Sequence, residues 1–216
     1  MRHYLLCGIL GIALCSGCEN LSPAVLGSGV SKTETRTVAD FDEIELRGMG
    51  KVEASIGALS PLIATGDDNI LPLLQTKVDG RRLIVSTDKL VKPKVDLVIH
   101  VTVPNVKIVE SNGMTSVALK GIANDSLAIT SNGMGDVSAE GQTRKLSLKL
   151  RGMGDMQAEK LVAQAAEVEV SGQSSATVHA VNSLKVDIRG MGTVRYKGDP
   201  KIDSSVSGMG KVERLQ

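Results

Sequence analysis

The stretch SNGMGDV at residues 131–137 contains the pattern that decides the fold, and RGMGDM at residues 151–156 repeats it. The tripeptide Gly-Met-Gly begins at Gly48, Gly133, Gly152, Gly190 and Gly208, and altered copies begin at Gly113 and Gly172. From Gly113 onward, the first glycines of successive copies lie 18 to 20 residues apart. A short, nearly constant period is typical of solenoid proteins, in which each repeat packs only on its neighbours.

Apolar and polar residues alternate on both sides of each glycine-centred tripeptide. Four residues after the first glycine stand Val52, Val117, Val137, Met156, Ala176, Val194 and Val212. Two and four residues before it, most copies also carry Val, Ile or Leu, with polar residues in between. An alternation of period two predicts strands with one buried face. Each repeat is therefore a strand, a glycine bend, a second strand and a second bend, and the sequence predicts an all-β solenoid of 18–20-residue coils.

The composition agrees with a narrow, stacked core and excludes several functions. The 216 residues include 23 Gly and 8 Met but no Trp, one Phe and two Tyr. Small aliphatic residues fit the interior of a narrow coil, whereas large aromatic rings do not. With 25 basic against 24 acidic side chains, the chain also lacks the basic excess that nucleic-acid binding requires. Few aromatic residues are left to stack on sugars or bases.

Residues 56–104 interrupt the repeat, and we expect them to form strands and a hairpin that cap the N-terminal end of the solenoid. Pro72, within the apolar segment 70–74, predicts one short helical turn, and Val78-Asp79-Gly80 predicts a tight turn. At the other end, residues 211–216 predict a short charged strand that discourages edge-to-edge growth.

The N-terminus carries an export signal. A basic start, an apolar run over residues 4–14 and the small pair Ser16-Gly17 precede Cys18, as in a bacterial lipoprotein signal. We predict a signal peptide over residues 1–17, a lipidated Cys18 (diacylglycerol and palmitate) that attaches the protein to a membrane, a flexible tether over 18–36 and one domain over 37–216. Glu19 favours the outer membrane of the cell envelope as the destination.

The order of several motifs resembles a known family. Residues 37–44 lead into Gly-x-Gly-Lys-Val, and an Asn-Ile-Leu-Pro-Leu-Leu segment at 69–74 and a Val-Thr-Val-Pro strand end at 101–104 follow. This order resembles the head GIN domain of putative auto-transporter adhesins, a family of unknown function, over roughly residues 37–216. The resemblance implies a right-handed parallel β-helix on exported, often lipid-anchored bacterial proteins. It implies no catalytic residues.

The middle residue of the bend departs from the family's usual Gly-Ser-Gly. It is Met in six of seven copies, and stacked coils would align Met114, Met134, Met153, Met191 and Met209 in one column interrupted by Gln173. Three interpretations are open. The methionines fill the core at the corner, or they form an exposed contact stripe, most simply for a homo-oligomer, or their thioethers bind a soft metal ion such as Cu(I). Because His and Cys support is lacking, we expect neither metal nor cofactor.

The remaining candidate residues give weak signals for catalysis. Asp136 and Asp155 occupy the same position in adjacent repeats, which leaves a polysaccharide-acting enzyme with paired carboxylates as the alternative function. His100 and His179 lie on separate predicted strands, so a triad or metal pair is not expected. The sequence therefore predicts an exported, lipid-anchored, adhesin-like β-helix that binds an unknown envelope or surface ligand and catalyses no reaction.

Overall fold

The computed structural model describes residues 24–215. The predicted signal peptide over residues 1–17 and the predicted lipidation site Cys18 lie outside the described residues. Within residues 24–215 about 75% of the chain is strand, with one short 3-10 helix, so the predicted all-β class is confirmed. No helix in this part of the chain is long and apolar enough to cross a membrane.

Thirteen strands follow one another along the described part of the chain. They are β1 (Val25–Leu26), β2 (Ser31–Arg36), β3 (Glu43–Ile56), β4 (Leu62–Asp67), β5 (Leu74–Asp79), β6 (Arg82–Thr87), β7 (Val91–Lys92), β8 (Val98–Val103), β9 (Ile108–Ser131), β10 (Val137–Gly190), β11 (Thr193–Lys197), β12 (Lys201–Gly208) and β13 (Lys211–Arg214). The 3-10 helix, Leu71–Leu73, lies between β4 and β5.

The strands form one large sheet and one small one. The path through the large sheet is β13-β11-β10-β9-β3-β8-β4-β2, with β12 beside β10 and the β5–β6 pair beside β3. Pairs among β3, β8, β9, β10, β11, β12 and β13 are parallel, whereas the pairs β2–β4, β4–β8 and β5–β6 are antiparallel. The small sheet pairs β1 with β7. Antiparallel pairing is thus confined to the N-terminal part.

The parallel registers place equivalent positions of successive repeats side by side. Val137 pairs with Val117, 20 residues earlier, and Ile188 pairs with Val206, 18 residues later. Gly48 pairs with Gly113 although the cap lies between them in the sequence. The strands therefore stack at the period of the sequence repeat.

Glycine lets neighbouring strands approach closely at the bend. Strand β10 has 54 residues and would span about 180 Å if straight, so it must turn several times. At Gly172 and Gly190, φ is +119° and +131°, which side chains with a Cβ rarely adopt. A Cβ added at Gly190 would also lie only 2.7 Å from the carbonyl oxygen of Gly172. The repeated glycine is therefore needed for the close stacking as well as for the turn.

The predicted apolar columns form the core. The residues four positions after the first glycine are buried from Val52 through Val194, and Val212 is partly buried. The two columns before the glycine are buried as well, through Val186 and Ile188. In the last repeat the same positions are exposed, because β12 pairs only with β10. The core therefore ends at β12 without a covering layer.

The N-terminal cap has the predicted turns. The short helix holds Pro72, as its position in the apolar segment predicted. Strands β5 and β6 form the predicted hairpin, with Gly80 at φ +62° in its turn. Both expectations for this segment are confirmed.

Residues 24–36 differ from the flexible tether expected over 18–36. Strand β2 pairs with β4, and β1 pairs with β7. The buried carboxylate of Asp67 accepts backbone N–H bonds from Gly29 at 2.7 Å, Lys94 at 2.9 Å and Val95 at 3.0 Å. The Arg36 guanidinium donates to the carbonyl oxygens of Leu74 and Leu71. Polar, Ser- and Gly-rich composition suggested a tether, but these long-range bonds attach the segment to the cap.

Candidate binding surfaces

From Met114 onward the methionines of the bends are exposed to solvent, whereas Met49 is only partly exposed. About half of the Met134 and Met153 side chains is exposed, at 48% and 52%, and Met209 is 76% exposed. Met156, which belongs to an inward column, is 1% exposed. The interpretation of the bend methionines as core residues is therefore wrong, and the exposed-stripe geometry is the one observed.

The structure extends this column beyond its predicted members. Met49 pairs in register with Met114, Met114 with Met134, and Met134 with Met153. Gln173 follows, and then Met191 and Met209 complete the column. We call the uninterrupted set Met49, Met114, Met134 and Met153 the methionine ladder. Met49 was not expected in it, because the cap separates it from the later repeats in the sequence.

Charged side chains beside the ladder are largely paired with each other. Arg47 Nε lies 2.6 Å from Glu45 Oε1, and Lys51 Nζ lies 2.6 Å from Glu53 Oε1. The hydrogen bond from Arg47 lowers the pKa of the Glu45 carboxyl group, and that from Lys51 lowers the pKa of Glu53. Met49 is thus flanked by two ion pairs, whereas Asp136, Arg151 and Asp155, near Met134 and Met153, form no ion pair within residues 24–215.

A groove of about 700 Å³ crosses the repeats on another part of the surface. Its floor consists of small and aliphatic residues, and lysines lie along its rim. The floor includes Leu127, Ala128, Leu146, Ala165, Ala166 and Leu184, and the rim includes Lys107, Lys145, Lys185 and Lys201. The groove crosses six successive strand segments, which corresponds to a length of about 24 Å at the usual strand spacing.

Two of the four rim lysines form ion pairs with carboxylates, and the other two do not. Lys107 Nζ lies 2.7 Å from Asp42 Oδ2, and Lys185 Nζ lies 2.8 Å from Glu167 Oε1. The hydrogen bond to Glu167 raises the pKa of Lys185. Within residues 24–215, Lys145 and Lys201 have no carboxylate within ion-pair distance. The groove thus combines an apolar floor with two lysines that form no ion pair, and the exposed Asp203 at one end adds one negative charge.

Comparison with known families now identifies the domain. The family model described as putative auto-transporter adhesin, head GIN domain, matches residues 40–200. The chain belongs to the head GIN family. The resemblance of the motifs to this family, expected over residues 37–216, is confirmed over residues 40–200. Among curated proteins, none matches the sequence.

Solved structures of similar proteins agree with a head GIN domain. A putative adhesin from Bacteroides fragilis is 26% identical, with a TM-score of 0.71, and the match covers 89% of this chain and 100% of that one. A putative adhesin from Parabacteroides merdae is 20% identical, with a TM-score of 0.57 and coverage of 89% and 99%. A putative lipid binding protein from Parabacteroides distasonis is 20% identical, with a TM-score of 0.52 and coverage of 90% and 100%.

The paired aspartates of this head GIN domain lie together but do not form an enclosed site. The backbone N–H of Asp155 donates to Asp136 Oδ1 at 3.0 Å, and both side chains are exposed. In the described part of the chain, no group of three His, Cys, Asp or Glu side chains could hold a metal ion. The Asp136 carboxylate thus accepts a hydrogen bond from the backbone of the next repeat.

The two histidines of the head GIN domain are not brought together as a catalytic pair. His100 lies on β8, with Nδ1 3.4 Å from Glu53 Oε2. His179 lies on β10, which does not pair with β8. Neither histidine is therefore placed for catalysis with the other.

The groove is the surface that the sequence analysis did not predict. The buried floor residues Leu127, Leu146, Ala166 and Leu184 lie six residues before the first glycine of each head GIN repeat. The outward-facing lining comes from the positions seven and five residues before that glycine. These two columns hold Ser126, Lys145, Ala165, Ser183 and Lys201, and Ile108, Ala128, Ser147, Glu167, Lys185 and Asp203. Small residues in the middle repeats and lysines toward the ends could have indicated a shallow groove with a basic rim.

Proposed function

We propose that the protein is a lipid-anchored binding module of the cell envelope, built as a right-handed parallel β-helix. The parallel registers at 18–20 residues support a coil of this length, with each repeat forming one turn. The continuous inward columns and the column of glycines support the same architecture. We propose no catalysis, because Asp136 and Asp155 are exposed and lack the surrounding groups of a polysaccharide-cleaving site.

The proposed anchor is a lipid on Cys18, which follows a signal peptide over residues 1–17, with the outer membrane as the favoured location. Six residues, 19–24, separate Cys18 from β1. Their greatest reach from Cys18 is about 24 Å. The cap would therefore lie close to the membrane, and the repeats would extend away from it. Radiolabelled palmitate should be incorporated into the wild-type protein and not into Cys18→Ser; an unlabelled wild type would contradict the anchor.

The binding surface we propose is the lysine-rimmed groove, and its ligand is an elongated molecule with an apolar body and an anionic group. The observation that carries this proposal is the apolar floor of the 700 Å³ groove beside the unpaired Lys145 and Lys201. Apolar contact along the floor would supply affinity. The lysines would hold the anionic group with charge-assisted hydrogen bonds.

The test uses a dansyl-labelled long-chain carboxylic acid as the probe. Lys145→Glu with Lys201→Glu should raise the dissociation constant of the probe by about tenfold or more, or about 1.4 kcal/mol, since attraction becomes repulsion. The control, Lys89→Glu with Lys149→Glu, changes the net charge equally at exposed lysines outside the groove. Equal weakening by both double variants, or an uncharged long-chain alcohol that binds as tightly as the acid, would overturn the proposal.

A further inference from the structure

The methionine ladder places four thioethers at one bend of four neighbouring repeats, with Met114, Met134 and Met153 about half exposed and Met49 only partly exposed. Met49, Met114, Met134 and Met153 are paired in register, and none is buried. A thioether is a soft, neutral ligand that prefers Cu(I) and similar ions over Ca²⁺, Mg²⁺ or Zn²⁺. The chemistry of the exposed surface is thus different from that of an ordinary apolar patch.

The spacing of the strands suits a metal ion held between adjacent side chains. Neighbouring strands lie about 4.8 Å apart. Two sulfur ligands at about 2.3 Å from one ion lie at most about 4.6 Å apart. Because a methionine side chain has three rotatable bonds, small rotations bring two sulfur atoms to this distance, and a third can lean in from the next strand.

The surrounding charges do not oppose a bound cation. The Arg47 and Lys51 charges are neutralised by Glu45 and Glu53. The exposed Asp136 lies two residues after Met134, and Asp155 lies two residues after Met153. These two exposed carboxylates add negative charge near the C-terminal half of the ladder, where the exposed Arg151, two residues before Met153, adds one positive charge.

We propose that the methionine ladder is a surface binding site for soft monovalent metal ions, Cu(I) or Ag(I). The site needs three consecutive methionines, which the ladder provides and which the pair Met191 and Met209, cut off by Gln173, does not. Binding replaces water at the ion by neutral thioethers, so no proton is released. Affinity should therefore stay constant from about pH 5.5 to pH 7.5, unlike that of His or Cys sites.

The experiment titrates Ag(I) into the full chain carrying Cys7→Ser, Cys15→Ser and Cys18→Ser, so that no thiol competes. Methyl-¹³C-labelled methionine, observed by NMR, resolves the individual side chains. The Met49, Met114, Met134 and Met153 methyl signals should shift first, and the buried Met156 signal should not move. If all exposed methionines shift together in proportion to their exposure, no defined site exists and the proposal fails.

Matched variants locate the site within the ladder. Met134→Leu keeps the apolar volume and removes the central sulfur, and it should weaken Ag(I) binding by about tenfold or more. Met209→Leu is the control and should leave the affinity unchanged. Gln173→Met should join the two methionine sets and increase the number of bound ions.

Three results would overturn the proposal. The first is equal affinity of the wild type and Met134→Leu, and the second is a loss of binding between pH 7.5 and pH 5.5. The third would show that the ladder contacts a second copy of the chain instead of a metal ion. If light scattering shows a metal-free oligomer that Met134→Ser dissociates and Met134→Leu does not, the ladder is a protein interface and not a metal site.

Discussion

The N-terminal part of the chain, residues 24–104 apart from β3, and the repeats, which comprise β3 and residues 105–215, are stabilised in different ways. The N-terminal part depends on contacts that occur once, such as the three backbone bonds to Asp67 and the bonds from Arg36 to Leu71 and Leu74. The repeats depend on one contact set that recurs from repeat to repeat, with inward aliphatic columns and a glycine at the bend. A repeated contact makes the fold visible in the sequence, whereas a unique contact does not.

The two ends of the large sheet also differ. At the N-terminal end, β2 and the hairpin cover the core, so Leu62, Leu71 and Leu83 are fully buried. At the C-terminal end, β12 leaves Ile202 and Val206 about two-fifths exposed. The charges expected to discourage edge pairing lie on the short strand β13, at Lys211, Glu213 and Arg214. One end of the core is thus covered and the other is open.

The largest effect should come from the glycine column of the repeats. Gly133→Ala places a Cβ in contact with the backbone carbonyl of Gly113, which cannot move aside as a side chain would. We expect a loss of unfolding free energy of about 3 kcal/mol or more, measured by urea denaturation.

The matched control for this prediction is Gly121→Ala. Gly121 has φ +76°, but an added Cβ would meet no atom closer than 3.9 Å. Gly121→Ala should lower the unfolding free energy by only about 1–2 kcal/mol, which is the conformational penalty of a left-handed residue with a Cβ. If Gly121→Ala is the more harmful change, backbone conformation and not close stacking is what the glycines provide.

A loss of stability of intermediate size should distinguish a residue in the covered core from one at the open C-terminal end. Ile188 and Val206 are in-register partners in adjacent strands, and they are 0% and 44% exposed. Ile188→Ala should lower the unfolding free energy by about 3 kcal/mol, because it leaves a cavity in the core. Val206→Ala should lower it by less than about 1 kcal/mol. Similar losses for both variants in urea denaturation would mean that the last coil is covered in solution, for example by another molecule.

The smallest loss of stability should come from weakening the backbone hydrogen bonds to the Asp67 carboxylate in the N-terminal part. Burial raises the pKa of Asp67, but the backbone N–H groups of Val95, Gly29 and Lys94 lower it more, so its folded pKa lies below the unfolded value. The stabilisation is therefore complete above about pH 4 and is lost as the pH falls through the folded pKa. Asp67→Asn should lower the Tm by several degrees at pH 7, and the difference from wild type should shrink toward pH 3.

The control for this prediction is Asp68→Asn. Asp68 is partly exposed and accepts a hydrogen bond from the Ser28 hydroxyl group, so its removal should change Tm little. A Tm difference for Asp67→Asn that does not depend on pH would show that the carboxylate charge contributes nothing. Hydrogen exchange of the β2 amides should increase in Asp67→Asn and not in the control.

The sequence by itself determined the strands, the bends and the inward columns of the repeats. Val117, Val137 and Val194 could be assigned to the core because side chains alternate along a strand, and the alternation is local information. The helical turn at Pro72 and the hairpin turn at Gly80 were predictable for the same reason, since turn chemistry depends on a few adjacent residues.

Only the tertiary structure decided which distant segments become neighbours. It placed Met49 beside Met114 across the cap, attached residues 24–36 through Asp67 and Arg36, and gathered the rim lysines into one groove. It also decided that the bend methionines face solvent, because alternation assigns residues to two faces of a strand but does not fix the direction of a side chain at a corner. These features depend on contacts between residues far apart in sequence, and no local pattern encodes them.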